Sequence, residues 1–311
     1  MNKTRSVNRL FLVMILWVSV LAQVLVRVDV TMTIWENMVA SEVIFLIPVS
    51  IFLLRKREPL TEWVPVKPIS VSVLLMTALF TVLLMPLITF LNAFSMLFAE
   101  NYVAGESAEL QKAGFWLNLL VVAVIPAVCE EFIFRGVFYS GYRENGILKA
   151  ALTCGLVFGL MHRNVNQFFY ASVLGVLFCF LVEATGSIFS SIAAHFLING
   201  WNVFLVTIQK SLLGYLEKME GAAYAKSVQT ALSQEELVNL VCVYGVMAAV
   251  STALAVCVLV WIANHCGRMA WMKENLHGRE KERQGWHRIL TPSLTGAAGI
   301  CIGYMIMQEL L

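Results

Sequence analysis

Apolar residues in this chain come in long blocks, not in alternating faces. Runs of Leu, Val, Ile, Phe and Ala fall near 10–27, 37–54, 69–98, 114–141, 148–162, 167–184, 187–208, 237–264 and 291–311. A helix needs roughly 20 apolar residues to cross a hydrocarbon layer about 30 Å thick, and most of these blocks supply them. The pattern predicts an all-α, polytopic transmembrane bundle of about nine spans, or eight if one of the shorter blocks does not cross. The fifth block, 148–162, is short and reaches only partway. Pro86 lies inside the third and predicts a kink there, since proline removes a ladder hydrogen bond and crowds the preceding turn.

Composition narrows the class further. Of 311 residues, 59% are hydrophobic and 14% charged, whereas a soluble domain carries about 25% charge, so a water-soluble fold is excluded. The net charge of +2 and the lack of basic runs interleaved with aromatics give no reason to expect a nucleic-acid partner; the lipid bilayer is the expected one. Seven cysteines sit in or beside apolar blocks with no CxxC pair, which predicts buried thiols and neither a disulfide framework nor a zinc ribbon. Lys3, Arg5 and Arg9 precede the first block as in a secretory signal. Gln23, Val24 and Leu25 stand where a small-residue cleavage site would be, so an uncleaved span is expected.

With the N-terminus inside, 15 Lys and Arg fall in inner segments and six in outer ones. That bias predicts N-terminus inside, C-terminus outside, in a bacterial-type cytoplasmic membrane. Segment 209–236 is the longest outer stretch and reads as an interfacial loop. The chain reads as one domain over 1–311.

Ionisable groups inside a span are costly and mark either function or a specific partner. Three clusters qualify: Glu130, Glu131 and Arg135 in the fourth span, Phe158 and His162 in the fifth, and His195 and Asn199 in the seventh. Glu131 and Arg135, four apart, share a helix face and suit an ion pair. Glu130 points about 100° away, leaving its carboxylate for chemistry. The plainer alternative is that both glutamates neutralise Arg135. His162 and His195 are the two histidines in apolar surroundings, and Asn199 lies one turn beyond His195, where its amide suits donation to an oxyanion. At ~1.5 Å per residue, the three clusters fall at similar depths and are expected to converge.

In order and spacing these clusters resemble the EExxxR, FxxxH and HxxxN motifs of the CPBP (CAAX-protease and bacteriocin-processing, or Abi) family, which includes the type II CAAX prenyl proteases. The resemblance covers a core of about 115–205. It implies a helical bundle around an aqueous cavity and an intramembrane endopeptidase acting on a membrane-associated peptide or protein. Residue by residue, it implies that Glu130 activates water with help from His162. His195 and Asn199 stabilise the oxyanion, and Glu131 and Arg135 organise the site.

No cofactor is expected. Zinc is the less favoured alternative, since no HExxH pair exists, the histidines lie on separate helices and the adjacent glutamates diverge. Ser187, Ser190 and Ser191 lack a GxSxG elbow. Two rivals stand beside the peptidase: a catalytically idle immunity or scaffold protein of the same fold, and a proton-coupled carrier, which would be expected to show duplicated halves with interrupted helices. Neither the substrate nor the role of Glu42 follows from the sequence.

Overall fold

A computed structural model describes residues 2–28, 31–99, 109–220, 233–278 and 286–310. The described residues are mostly helical, and the longest described connection, 57–70, holds only a 3₁₀ turn at Leu60–Glu62. We number the helices α1 (Lys3–Arg27), α2 (Ile34–Lys56), α3 (Val71–Ser95), α4 (Phe115–Asn145), α5 (Ile147–Met161), α6 (Val165–Thr185), α7 (Ile188–Glu220), α8 (Gln234–His265), α9 (Met269–Asn275) and α10 (Pro292–Leu310). Seven of them are long and apolar enough to cross a membrane: α1 to α4 and α6 to α8. With the 15-residue α5 and the 19-residue α10, the bundle accords with the nine apolar blocks.

Polarity is sorted as in a lipid-embedded protein. Large apolar side chains such as Val26, Leu54, Leu75, Trp116 and Val246 are exposed, while Asn8, Glu42, Thr77, Asn118, Glu131, Arg135, Asn166, Glu183 and His195 are buried. Hydrocarbon offers no hydrogen bonds, so polar groups turn inward to find partners. The chain is an integral membrane protein.

Helix ends extend past the apolar blocks where polar residues find tertiary partners. α1 starts seven residues before its block. Asn2 caps it by accepting the Arg5 N–H, Thr4 Oγ1 donates to Gly141 O and Glu144 Oε1, and Asn8 Nδ2 donates to Ile289 O at 2.7 Å. α2 and α8 begin with capping boxes, Thr33 with Glu36 and Ser233 with Glu236. α7 runs on to Glu220, so residues 209–220 of the expected interfacial loop continue a helix about 50 Å long; residues 221–232 lie outside the described part. α3 is helical on both sides of Pro86.

One end of the bundle gathers the basic segments. There Glu183 is 1% exposed and accepts from Tyr139 Oη at 2.9 Å, Arg143 Nη2 at 2.9 Å and Arg268 Nη2 at 3.0 Å. Both guanidinium groups also lie over the Trp271 ring. At the opposite end Trp35 Nε1 donates to Asn118 Oδ1, and Asn166 Nδ2 to Ser95 Oγ.

The short α5 is held by α6 alongside it. Gly155 and Gly159 form a GxxxG face that lets the two backbones touch. A Cβ on Gly155 would lie 2.6 Å from the Ser172 carbonyl oxygen, and one on Gly175 would lie 2.6 Å from Gly155 Cα. α6 then ends at Gly186, whose φ of +70° forms a left-handed cap, its N–H donating to Val182 O at 2.7 Å. Glycine takes this conformation without the Cβ penalty, and α7 starts only two residues later.

A Gly155→Val substitution is therefore expected to force α5 from α6 and cost at least about 1–3 kcal/mol. Thermal unfolding in detergent checks this; Gly296, with no atom within 4 Å of its Cβ position, is the control site for the same change.

Candidate active site

The site is built on α4, whose regular α-helical turn Ile125–Glu131 lies between two π-helical stretches, Leu119–Val124 and Phe132–Phe138. Such stretches insert about one extra residue per turn and recur at functional positions. Here they set off the turn carrying Glu130 and Glu131 from the rest of the helix. α7 packs along the same part of α4 and brings in His195.

Arg135 and Glu131 have no accessible surface and pair at 2.9 Å, Nη1 to Oε1. The same Oε1 is 2.9 Å from His195 Nδ1. Arg135 has no further acceptor in hydrogen-bond geometry; instead its guanidinium lies 4.4 Å from the Phe158 ring centre and 5.2 Å from that of Phe178. Ring faces attract cations, more strongly when water is absent. Glu131 is thus committed to Arg135 and His195, with Ser191 also beside its carboxylate.

Glu130 differs. Its side chain is 20% exposed, and Oε2 stands 3.7 Å from His195 Nε2, beyond a direct hydrogen bond. The two adjacent carboxylates do diverge as the helix geometry requires, yet both address one imidazole, from opposite nitrogens. With Nδ1 held by Glu131, Nε2 is the nitrogen left facing Glu130.

His162 caps α5, and its Nδ1 is 2.9 Å from Phe158 O, one turn back. Its ring meets Phe158 edge to face at 4.9 Å, and Phe158 lies 6.3 Å from the His195 ring. Phe158 therefore joins the two histidines, while His162 makes no hydrogen bond to Glu130 among the described interactions. Asn199 Nδ2 donates to Val122 O at 3.0 Å, within the first π-helical stretch; an amide has two N–H groups, so one remains.

Three supporting residues escaped the sequence reading. Ser191 could have been found, because Ser191, His195 and Asn199 form an i, i+4, i+8 row on α7. Phe178 carried no signal. Glu42 on α2 was visible as an intramembrane acid without a role. It is 6% exposed, its carboxyl lies within hydrogen-bonding reach of that of Glu130, and Oε2 is buried without a partner.

Residues 112–201 match the family model described as Type II CAAX prenyl endopeptidase Rce1-like. Over that segment the chain is similar to this family. The resemblance read from the three motifs is borne out at this level, since the matched segment contains all of them. The chain is also 28% identical over 129 residues to a Bacillus subtilis (strain 168) protein named "Putative membrane peptidase YdiL", covering 38% of this chain and 52% of that protein. The chain thus spans about half the length of that curated relative. No solved structure matches it.

Glu131 and His195 Nδ1 are occupied with each other, and among the described residues no three His, Cys, Asp or Glu side chains stand together as a metal-holding group.

Removing one member of a buried ion pair strands the other charge, which costs about 3–5 kcal/mol. Arg135→Ala is expected to destabilise by that order in equilibrium unfolding. Glu131→Gln combined with Arg135→Met should cost less than the sum of the single changes.

Proposed function

We propose that this chain is an intramembrane endopeptidase that hydrolyses a peptide bond in or near the bilayer, in a membrane-associated peptide or protein, through water activated by Glu130. The observation that carries this reading is the unequal state of the two glutamates. Glu131 is sealed into an ion pair, whereas Glu130 keeps accessible surface opposite a fixed imidazole. The match to the Rce1-like model and the name of the Bacillus relative support peptide hydrolysis.

Peptide hydrolysis needs a base for water and donors for the oxyanion. Glu130 takes a proton from water as the oxygen attacks the carbonyl carbon, and returns it to the leaving amine. The oxyanion is met by His195 Nε2–H, when the ring carries both protons, and by the remaining N–H of Asn199. His162 bonds its own turn through Nδ1, so Nε2 is free to orient the water. Glu131 and Arg135 act through His195, by fixing which nitrogen faces the reaction. No step calls for a metal. The clustering of basic segments at one end supports a cytoplasmic location for that end, and the bacterial relative supports a bacterial-type cytoplasmic membrane.

In vesicles reconstituted with the purified protein, Glu130→Gln is expected to lower peptide cleavage by at least ~10²-fold with the melting temperature unchanged; a wild-type rate overturns the assignment. Prolonged chelation should leave cleavage intact, and loss restored by zinc would reverse the metal-free reading. Comparing the proteomes of cells carrying the wild-type and Glu130→Gln forms identifies the substrate: it accumulates uncut in the variant.

A further inference from the structure

Glu42 is an acid inside a span, on a helix whose other residues are mostly apolar. It is 6% exposed on the side where α2 packs against the Ile125–Glu131 turn of α4, and its neighbours there are Cys129 and the Glu130 carboxyl. Beyond Glu130 stands His195 of α7, and beyond that the closed Glu131–Arg135 pair. The other buried acids described above each hold a cation, Arg135 for Glu131 and Arg143 with Arg268 for Glu183. Among the described residues no Lys, Arg or His forms an ion pair with Glu42.

Two carboxyl groups within hydrogen-bonding reach need one proton between them, because an ionised carboxylate only accepts. Which of the two holds it follows from their surroundings. Glu130 keeps accessible surface and faces the His195 imidazole. Glu42 is enclosed, with no cation and with Oε2 unpartnered. An unpartnered oxygen costs far less on a neutral acid than on an anion.

We propose that Glu42 is a positioning residue of the site: a neutral carboxylic acid that donates its proton in a hydrogen bond to Glu130 and so sets where that carboxylate points. The role rests on reading Glu130 as the base, and it explains why an α2 residue outside all three motifs is buried against it. The bond occupies one lone pair of Glu130 and leaves its other oxygen on the His195 side. It also ties α2 to the part of α4 between the two π-helical stretches.

The test uses the full-length protein in nanodiscs. The infrared difference spectrum of wild type minus Glu42→Gln is expected to show a protonated-carboxyl C=O band. That band should shift in Glu130→Gln, where the acceptor becomes an amide while Glu42 stays in place. In cleavage assays Glu42→Ala should lower kcat by ~10–100-fold, the scale of a misplaced catalytic group, with KM within about 3-fold. Glu42→Gln, which keeps a donor, should recover at least ~10-fold of that loss. Absence of the band, a band indifferent to Glu130→Gln, or a wild-type kcat in Glu42→Ala overturns the proposal. If the wild-type protein cleaves no peptide, the hydrolase reading fails instead, and the two infrared measurements still decide whether Glu42 bonds Glu130.

Discussion

A guanidinium with no accessible surface, in the middle of a membrane-spanning helix, has to be neutralised where it stands. Hydrocarbon supplies no counter-ion, and leaving such a charge alone is among the costliest arrangements a protein can adopt. Glu131 meets Arg135 from one turn away, and the ring faces of Phe158 and Phe178 cover the remainder. The rest of the site is arranged around that pair. Because Glu131 also binds His195 Nδ1, the imidazole of α7 is tied to the cation of α4, and its free nitrogen is turned to the neighbouring glutamate. The ion pair therefore has two consequences at once, joining two helices and leaving two adjacent acids in different surroundings.

The same logic shapes the bundle. Polar side chains are kept inside, where they find one another, and the outer surface is left to Val, Leu, Ile and Phe. Glycines do on α5 and α6 what charges do elsewhere. With Gly155 against Gly175 the backbones close to contact, and a helix too short to cross the membrane alone is carried by its longer neighbour. That packing sets the place of α5, and with it the Phe158 ring that lies 6.3 Å from the His195 ring. Precise placement of the end of a short helix is thus a property of the helix beside it.

Much of this was legible in the sequence, for physical reasons. Apolar blocks report spans directly because the bilayer sets their length, and Glu131 with Arg135 could be paired from spacing alone because both lie on one helix. The parts that were not legible depend on a second helix or on backbone irregularity. A wheel drawn with 3.6 residues per turn over 115–145 loses phase at each π-helical stretch, so it cannot say that both glutamates reach the same ring. Phe178 resembles any core phenylalanine until Arg135 is placed beneath it. Glu42 stood out as an anomaly, but its neighbour is 88 residues further along the chain. The early start of α1 was hidden because Thr4 and Asn8 look like a polar tail unless the ends of α4 and α10 are known to adjoin them.

That last contact bears on how the molecule is made. Asn8 lies on α1, yet the carbonyl that satisfies its amide is at Ile289, 281 residues later. At roughly 5–20 residues per second, synthesis separates the two by tens of seconds. During that interval every helix contributing to the candidate site is made, while α1 still lacks its partner α10. A helix made before the other nine is therefore among the last to complete its polar contacts.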